Sequence, residues 1–265
     1  MKPLLISPRP TTHDWLTMLC QQALDADLEW LDFIVDQSGI DHGWQRHLHV
    51  MHPPRTLLLD TPHAEAAGEG PVLIRLALHT PALLEKWQRR LDKWQGQPRL
   101  LALLSTCDFE ALATHLTACL QVKWDQGRQQ GVLRFYDPRL FAPVCACLLP
   151  TQQQFLLGCA QQWHWLDRDG HARSLQLPHA GTAPAQPPDE NLNLSPEQIH
   201  TLSLWHAAET WRQNHLLLPA MYGLDSEEEL MKRLVAAQYA ADQARLWSEP
   251  ERMPLVESHL RREAP

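Results

Sequence analysis

Apolar positions recur at helical spacing from Thr11 to Leu24, where Trp15, Leu16, Leu19, Cys20, Ala23 and Leu24 share one face and predict an amphipathic first helix. EWLDFIV (29–35), which ends at DQSG, reads as a buried strand from its aromatic and β-branched content; a helical turn is the alternative for so short a run. PVLIRLAL (71–78) and LLALL (100–104) are further strands. Between them Thr80 and Pro81 supply an N-cap and a proline at the first helical position. Leu83, Leu84, Trp87, Leu91 and Trp94 then line the inner face of a helix whose outer side carries Lys86, Arg89, Arg90 and Lys93. Asp108 caps another helix, with Phe109, Leu112, Ala113, Leu116, Cys119 and Leu120 inward.

After this the pattern changes. QVKW (121–124) and VLRFY (132–136) flank DQGRQQG, and WHWLD (163–167) and SLQL (174–177) flank RDGHAR, so two hairpins are expected. Strands alternate with helices, yet hairpins break a purely parallel order. The expected class is therefore α/β or α+β, a mixed sheet with flanking helices. PHAGTAPAQPPDENLN (178–193) carries four prolines and almost nothing large and apolar, which marks a linker. Ser195-Pro196-Glu197-Gln198 and Ser226 to Glu229 are both capping boxes, and Leu230, Leu234, Ala237, Ala241 and Ala244 form a narrow seam on the helix that follows the second. The domain reading is an α/β lobe over 1–177, a Pro-rich linker over 178–194, a helical lobe over 195–250 and a loose tail over 251–265.

Composition narrows the function classes. With 23 Lys and Arg against 31 Asp and Glu, the net charge is -8 and no basic block is present, which argues against nucleic acid as a partner. The longest apolar runs fall far short of the roughly 20 residues of a membrane span, and MKPLLISPRP is too short in its apolar part for a secretory signal. A cytoplasmic location with no membrane partner is the expectation. Cys20, Cys107, Cys119, Cys145, Cys147 and Cys159 lack CxxC spacing and read as small buried hydrophobes.

GVLRFYDPRLFAPVCACLL (131–149) contains the most unusual local chemistry. Read as a strand, it points Val132, Arg134 and Tyr136 one way and Leu133 and Phe135 the other, before Asp137 as N-cap and Pro138 at N1 turn it into a helix. Cys145 and Cys147 are two apart on that helix and so do not share a face. Such a junction does not itself require Arg134 and Arg139 beside Tyr136 and Asp137. They form either an internal ion pair bracing the turn or a docking point for another protein.

These same residues carry a family resemblance. GVLRFYDPRLF resembles the FRFYDPR signature of the adaptor, or effector-chaperone, domain of type VI secretion, a family first catalogued as a domain of unknown function. EWLDFIVDQSG, RTLLLDTPHAEAAGEGPVLIRL and DFEALATHLTACLQVKWDQGR resemble further segments of it in order, and the likeness spans about residues 28 to 167. Leu133 stands where the signature has phenylalanine, and DHGWQRHLHVMH (41–52) has no counterpart. The resemblance implies a protein that binds a toxic effector in the cytoplasm and helps load it on the VgrG spike, with no reaction catalysed and no cofactor. It makes Arg134, Tyr136, Asp137 and Arg139 structural or docking residues.

The rival chemistry is a metal-dependent hydrolase. His47, His49 and His52, with His42 nearby, are of the right type for zinc, and Asp60, His63 and Glu65 are the acids and bases within reach in sequence, though Pro53 and Pro54 interrupt the approach. A solvated histidine-rich segment is the plainer reading, and no metal is expected. His206 and Glu209 lack HExxH spacing, and GxSxG, Walker and GxGxxG motifs are absent. Trp205 and Trp211, six apart on one helix, cannot both face inward squarely; one is a candidate partner-binding residue, against the simpler reading of a wide buried face.

Overall fold

The computed structural model describes residues 4–5, 12–41, 43–45, 52–94, 96–176 and 192–261. It divides into two compact units, Met1–Leu194 and Ser195–Pro265. The class is α+β.

In the first unit the helix α1 (Thr12–Asp25) precedes strand β2 (Trp30–Asp36), following a two-residue strand β1 (Leu4–Leu5). Then come β3 (Arg55–Thr56), β4 (Pro71–Ala77), α2 (Pro81–Lys93), β5 (Leu100–Leu104) and α3 (Phe109–Leu120). The hairpin β6 (Gln121–Trp124) and β7 (Gln129–Val132), helices α4 (Pro138–Cys147) and α5 (Pro150–Leu157), and the hairpin β8 (Gln162–Leu166) and β9 (Ala172–Gln176) complete the order up to β10 (Leu192–Asn193).

Seven strands form the main sheet in the order β1-β9-β8-β5-β2-β4-β3, with every pairing antiparallel. The mixing of directions is confined to a separate three-stranded sheet, where β6 pairs antiparallel with β7 and parallel with β10. Helices cover both faces of the main sheet, which is why β4 and β5 are buried throughout instead of alternating. On one face Phe33, Val72, Ile74, Leu76 and Ala102 pack with Trp15 and Leu19 of α1 and Trp87 and Leu91 of α2. The Phe33 and Trp87 rings lie 5.0 Å apart there. On the other face Phe141 of α4 stacks on Trp163 at 5.1 Å and meets Trp165 edge-on at 5.0 Å. Asp108 caps α3 through the N–H groups of Glu110 and Ala111, whereas Thr80 begins α2 without a side-chain cap and leaves that start to Pro81.

The expected linker over 178–194 is shortened at its end. Leu192 is buried, and Leu194 N–H donates to Lys123 O at 2.8 Å, so these residues close the small sheet and belong to the first unit. Residues 177–191 lie outside those described.

The second unit holds α6 (Pro196–Asn214), α7 (Glu227–Gln243) and α8 (Glu249–Arg261) around Ala208, Leu217, Leu230, Met231, Leu234, Ala237, Val256 and Leu260. Ser195 and Gln198 form the reciprocal capping box of α6. At α7 only Ser226 caps, accepting from Glu229 N–H, because the Glu229 carboxylate instead takes Arg233 Nε at 2.9 Å. The apolar seam stops at Ala241, since α7 ends at Gln243 and Ala244 is exposed. The expected tail over 251–265 is instead helical to Arg261. Glu251 accepts from the N–H groups of Trp247 and Ser248 and from the Ser248 hydroxyl, which fixes the first turn, and Val256 and Leu260 anchor the rest. Sparse apolar spacing and Pro254 hide this helix in the sequence. No helix among the described residues is long and apolar enough to cross a membrane.

Candidate functional site

The chain leaves the small sheet at Val132 and does not continue as a strand to Tyr136. Local bonds from Phe135 N–H to Leu133 O at 2.9 Å and from Asp137 N–H to Arg134 O at 3.2 Å replace a ladder and fold 133–137 into a turn. The expected alternation is lost with it. Leu133, Phe135 and Tyr136 are all buried, and Arg134 alone of the four points outward. Phe135 reaches the Trp163 ring at 6.3 Å, so the aromatic residues of this stretch belong to the core. Burial pushes the Tyr136 hydroxyl up to about 12, which keeps it protonated.

Asp137 is the hub of the turn. Its side chain is 2% exposed and accepts Arg139 N–H and Nε at 3.0 Å on Oδ1 and Arg139 Nη2 at 2.8 Å on Oδ2. The N-cap of α4 and a bidentate ion pair are thus made by one carboxylate. Arg139 O in turn accepts from Arg168 Nη1 at 3.0 Å, which ties α4 to the β8–β9 hairpin.

Arg134 is held differently. Its Nη2 lies 3.5 Å from Asp137 Oδ2 and equally 3.5 Å from Asp36 Oδ2 at the end of β2, and its side chain is 48% exposed. The guanidinium sits 5.8 Å from the Tyr136 ring centroid. Asp36 O and Ser38 O accept Arg99 Nη1 at 3.3 and 2.5 Å, so the loop after β2 is fixed independently of Arg134. The rigid acids set the position of Arg134, while much of its donor fork faces solvent.

Trp205 and Trp211 belong to the helical unit. Both are partly buried and pack against its core, and Trp211 tilts over His215 at 4.7 Å. A wide buried face accounts for them, and neither is presented as an exposed anchor. The exposed large side chains of that unit are Leu216, Leu218, Met221, Tyr239 and Trp247, which periodicity does not single out.

Among the described residues, those of the hydrolase reading do not gather into a ligand group. His47 and His49 lie outside the described residues, and the ring of His52 stacks on Phe109 at 4.8 Å. Asp60 pairs with Arg55 at 2.7 Å, and Glu69 accepts Gly39 N–H at 2.8 Å. Glu209 pairs with Arg212 at 3.1 Å. Among the described residues, the ligand atoms that gather are those of Asp167, Asp169 and His171. There Asp167 already accepts Arg173 Nη2 at 2.7 Å and the N–H groups of Asp169 and His171, as the turn of the β8–β9 hairpin requires. Arginine supplies the positive charge a cation would bring.

One polar constellation escaped the sequence reading. Asp32 and Arg75 stand opposite each other on β2 and β4 and join through two 2.7 Å bonds, with the guanidinium 4.4 Å from the Trp30 ring and 5.5 Å from that of Phe109. The signal was a charged residue in the interior of each of two mainly apolar strands.

Residues 33–154 match the family described as Domain of unknown function (DUF4123). That family is known among adaptors of type VI secretion effectors. The match takes in β2 from Phe33 onward, with Asp36, Arg75 and the whole turn from Arg134 to Arg139. No curated protein and no solved structure matches the chain.

Proposed function

We propose that this protein is an adaptor that binds a type VI secretion effector in the cytoplasm and helps load it on the VgrG spike, acting by recognition and not by catalysis. The observation that carries the reading is Arg134: a half-exposed guanidinium, held in place by two nearly buried carboxylates, within the segment that matches the family. Arginine in such a frame is a suitable anchor for a carboxylate or backbone carbonyl of a partner, because its planar fork is oriented before the partner arrives. Asp137 and Arg139 hold the turn, and Tyr136 floors it.

The test is affinity purification of the tagged full chain from the cells that natively make it, with partners identified by mass spectrometry. A toxin-like protein and a spike protein recovered in near-equal amounts are expected, and Arg134→Ala should lose the toxin while leaving the thermal transition in place. Recovery of the chain alone refutes the adaptor reading. Retention of both partners by the Arg134 variant refutes the site.

A further inference from the structure

Three helices of this protein end in the same cap. Leu28 N–H returns to Ala23 O at 2.9 Å after α1, Leu217 N–H to Arg212 O at 3.1 Å after α6, and Leu246 N–H to Ala241 O at 3.0 Å after α7. The preceding residue in each case also bonds back, Asp27 to Leu24 O, Leu216 to Gln213 O and Arg245 to Asp242 O, which completes the paired closure of a Schellman motif. That preceding residue takes left-handed backbone, at φ 55° for Asp27, 50° for Leu216 and 56° for Arg245. Glycine is the usual occupant because a β-carbon is strained there.

What each cap does with its side chain separates them. Asp27 and Arg245 put charge into water. Leu216 puts a leucine there, 79% exposed, while the next residue, Leu217, turns into the core. Leu216 thus adds backbone strain and recovers nothing through burial, so folding does not explain it. Leu218 and Met221 are 55% and 57% exposed in the same connection, which sets three large apolar side chains within six residues.

We propose that the α6–α7 connection, through Leu216, Leu218 and Met221, is a docking surface for a protein segment that carries apolar anchors beside lysine or arginine. Charge selects this occupant. Asp225, Glu227, Glu228 and Glu229 follow the apolar trio, and although Glu227 pairs with Arg212 and Glu229 with Arg233, residues 195–261 hold ten acidic side chains against six basic ones and leave the unit net acidic. Two copies of the chain would bring like charges together at this surface, whereas a basic segment gains from them. The surface is defined within the helical unit and goes beyond the role given to Arg134.

The probe is a fluorescein-labelled synthetic helix with leucines on one face and lysines on the other, titrated with the full chain and read by anisotropy. Saturable binding to the unmodified chain is expected, with none for the matching leucine–glutamate peptide. Leu216→Gly should weaken binding about tenfold, the scale of one central apolar anchor, while the melting temperature holds or rises because glycine relieves the left-handed strain. Leu218→Ser with Met221→Ser should weaken it further. Absence of binding, equal binding of both peptides, or full affinity in the Leu216 variant overturns the proposal. So does a concentration-dependent dimer in sedimentation that Leu216→Gly abolishes, since the occupant is then a second copy.

Discussion

Two arginine–aspartate sites in the first unit use the same chemistry to opposite ends. In the pair Asp32–Arg75 both side chains are sealed, at 0% and 3% exposure, and Cys107 O takes a further bond from Arg75 Nη2 at 2.9 Å. At the Asp137 turn the acid is sealed but Arg134 is not, and its nearest oxygens lie at 3.5 Å. Where both partners are sealed inside the protein, the pair serves the fold. Where a rigid acid leaves part of a guanidinium in water, a partner has something to take hold of.

The sealed pair should show the largest response. Arg75→Ala leaves a carboxylate buried in the sheet without a counter-charge and is expected to lose about 3–5 kcal/mol of stability, read by urea denaturation. Replacing both, with Asp32→Leu and Arg75→Met, should recover most of that loss, since apolar side chains suit a site walled by Trp30 and Phe109. A double variant as unstable as the single one would mean that the pair contributes net stability.

Acid distinguishes the two faces of the sheet next. Burial holds His164 of β8 down to about 4, and burial also lowers His115. The unfolded chain takes up these protons below about 6.5, so their stability is present above that pH and is lost as pH falls toward 4. For His164 alone the loss approaches about 3 kcal/mol. Asp32 works in the other direction. Burial raises its carboxyl to about 6 against the pull of Arg75, so its contribution is present below the ordinary carboxylate range and is lost as pH rises through about 6. His164→Asn should therefore flatten the decline in melting temperature between pH 6.5 and 4, and an unchanged profile would exclude His164 as its source.

How far these sites are legible in the sequence depends on whether local spacing or distant register decides them. The strands β2, β4 and β5, the helix face of Trp87 and Leu91, and Asp108 and Asp137 as caps follow from adjacent residues, and the structure has them. Asp32 and Arg75 are 43 positions apart, and only the pairing of β2 with β4 makes them partners. The break after Val132 is hidden for a related reason: VLRFY has strand composition, but burial of both Phe135 and Tyr136 is reached only by turning. Likewise α8 depends on packing of Val256 and Leu260 more than on its own periodicity. Trp205 and Trp211 show the limit of helical spacing, which separates faces but does not say how wide the buried one is.

Within the open site the two arginines give the finest comparison. Arg139→Ala removes a bidentate partner from a carboxylate that is almost fully buried, and about 2 kcal/mol of stability should go with it. Arg139→Lys should restore little, because an ammonium cannot reproduce the fork. Arg134→Ala breaks two long contacts at a half-exposed side chain and should change stability by less than about 1 kcal/mol. If Arg134 were merely a second brace, its variant would lose stability and partner affinity together. If it is the presented anchor, affinity falls while the unfolding midpoint stays, and only that divergence separates a docking arginine from a structural one.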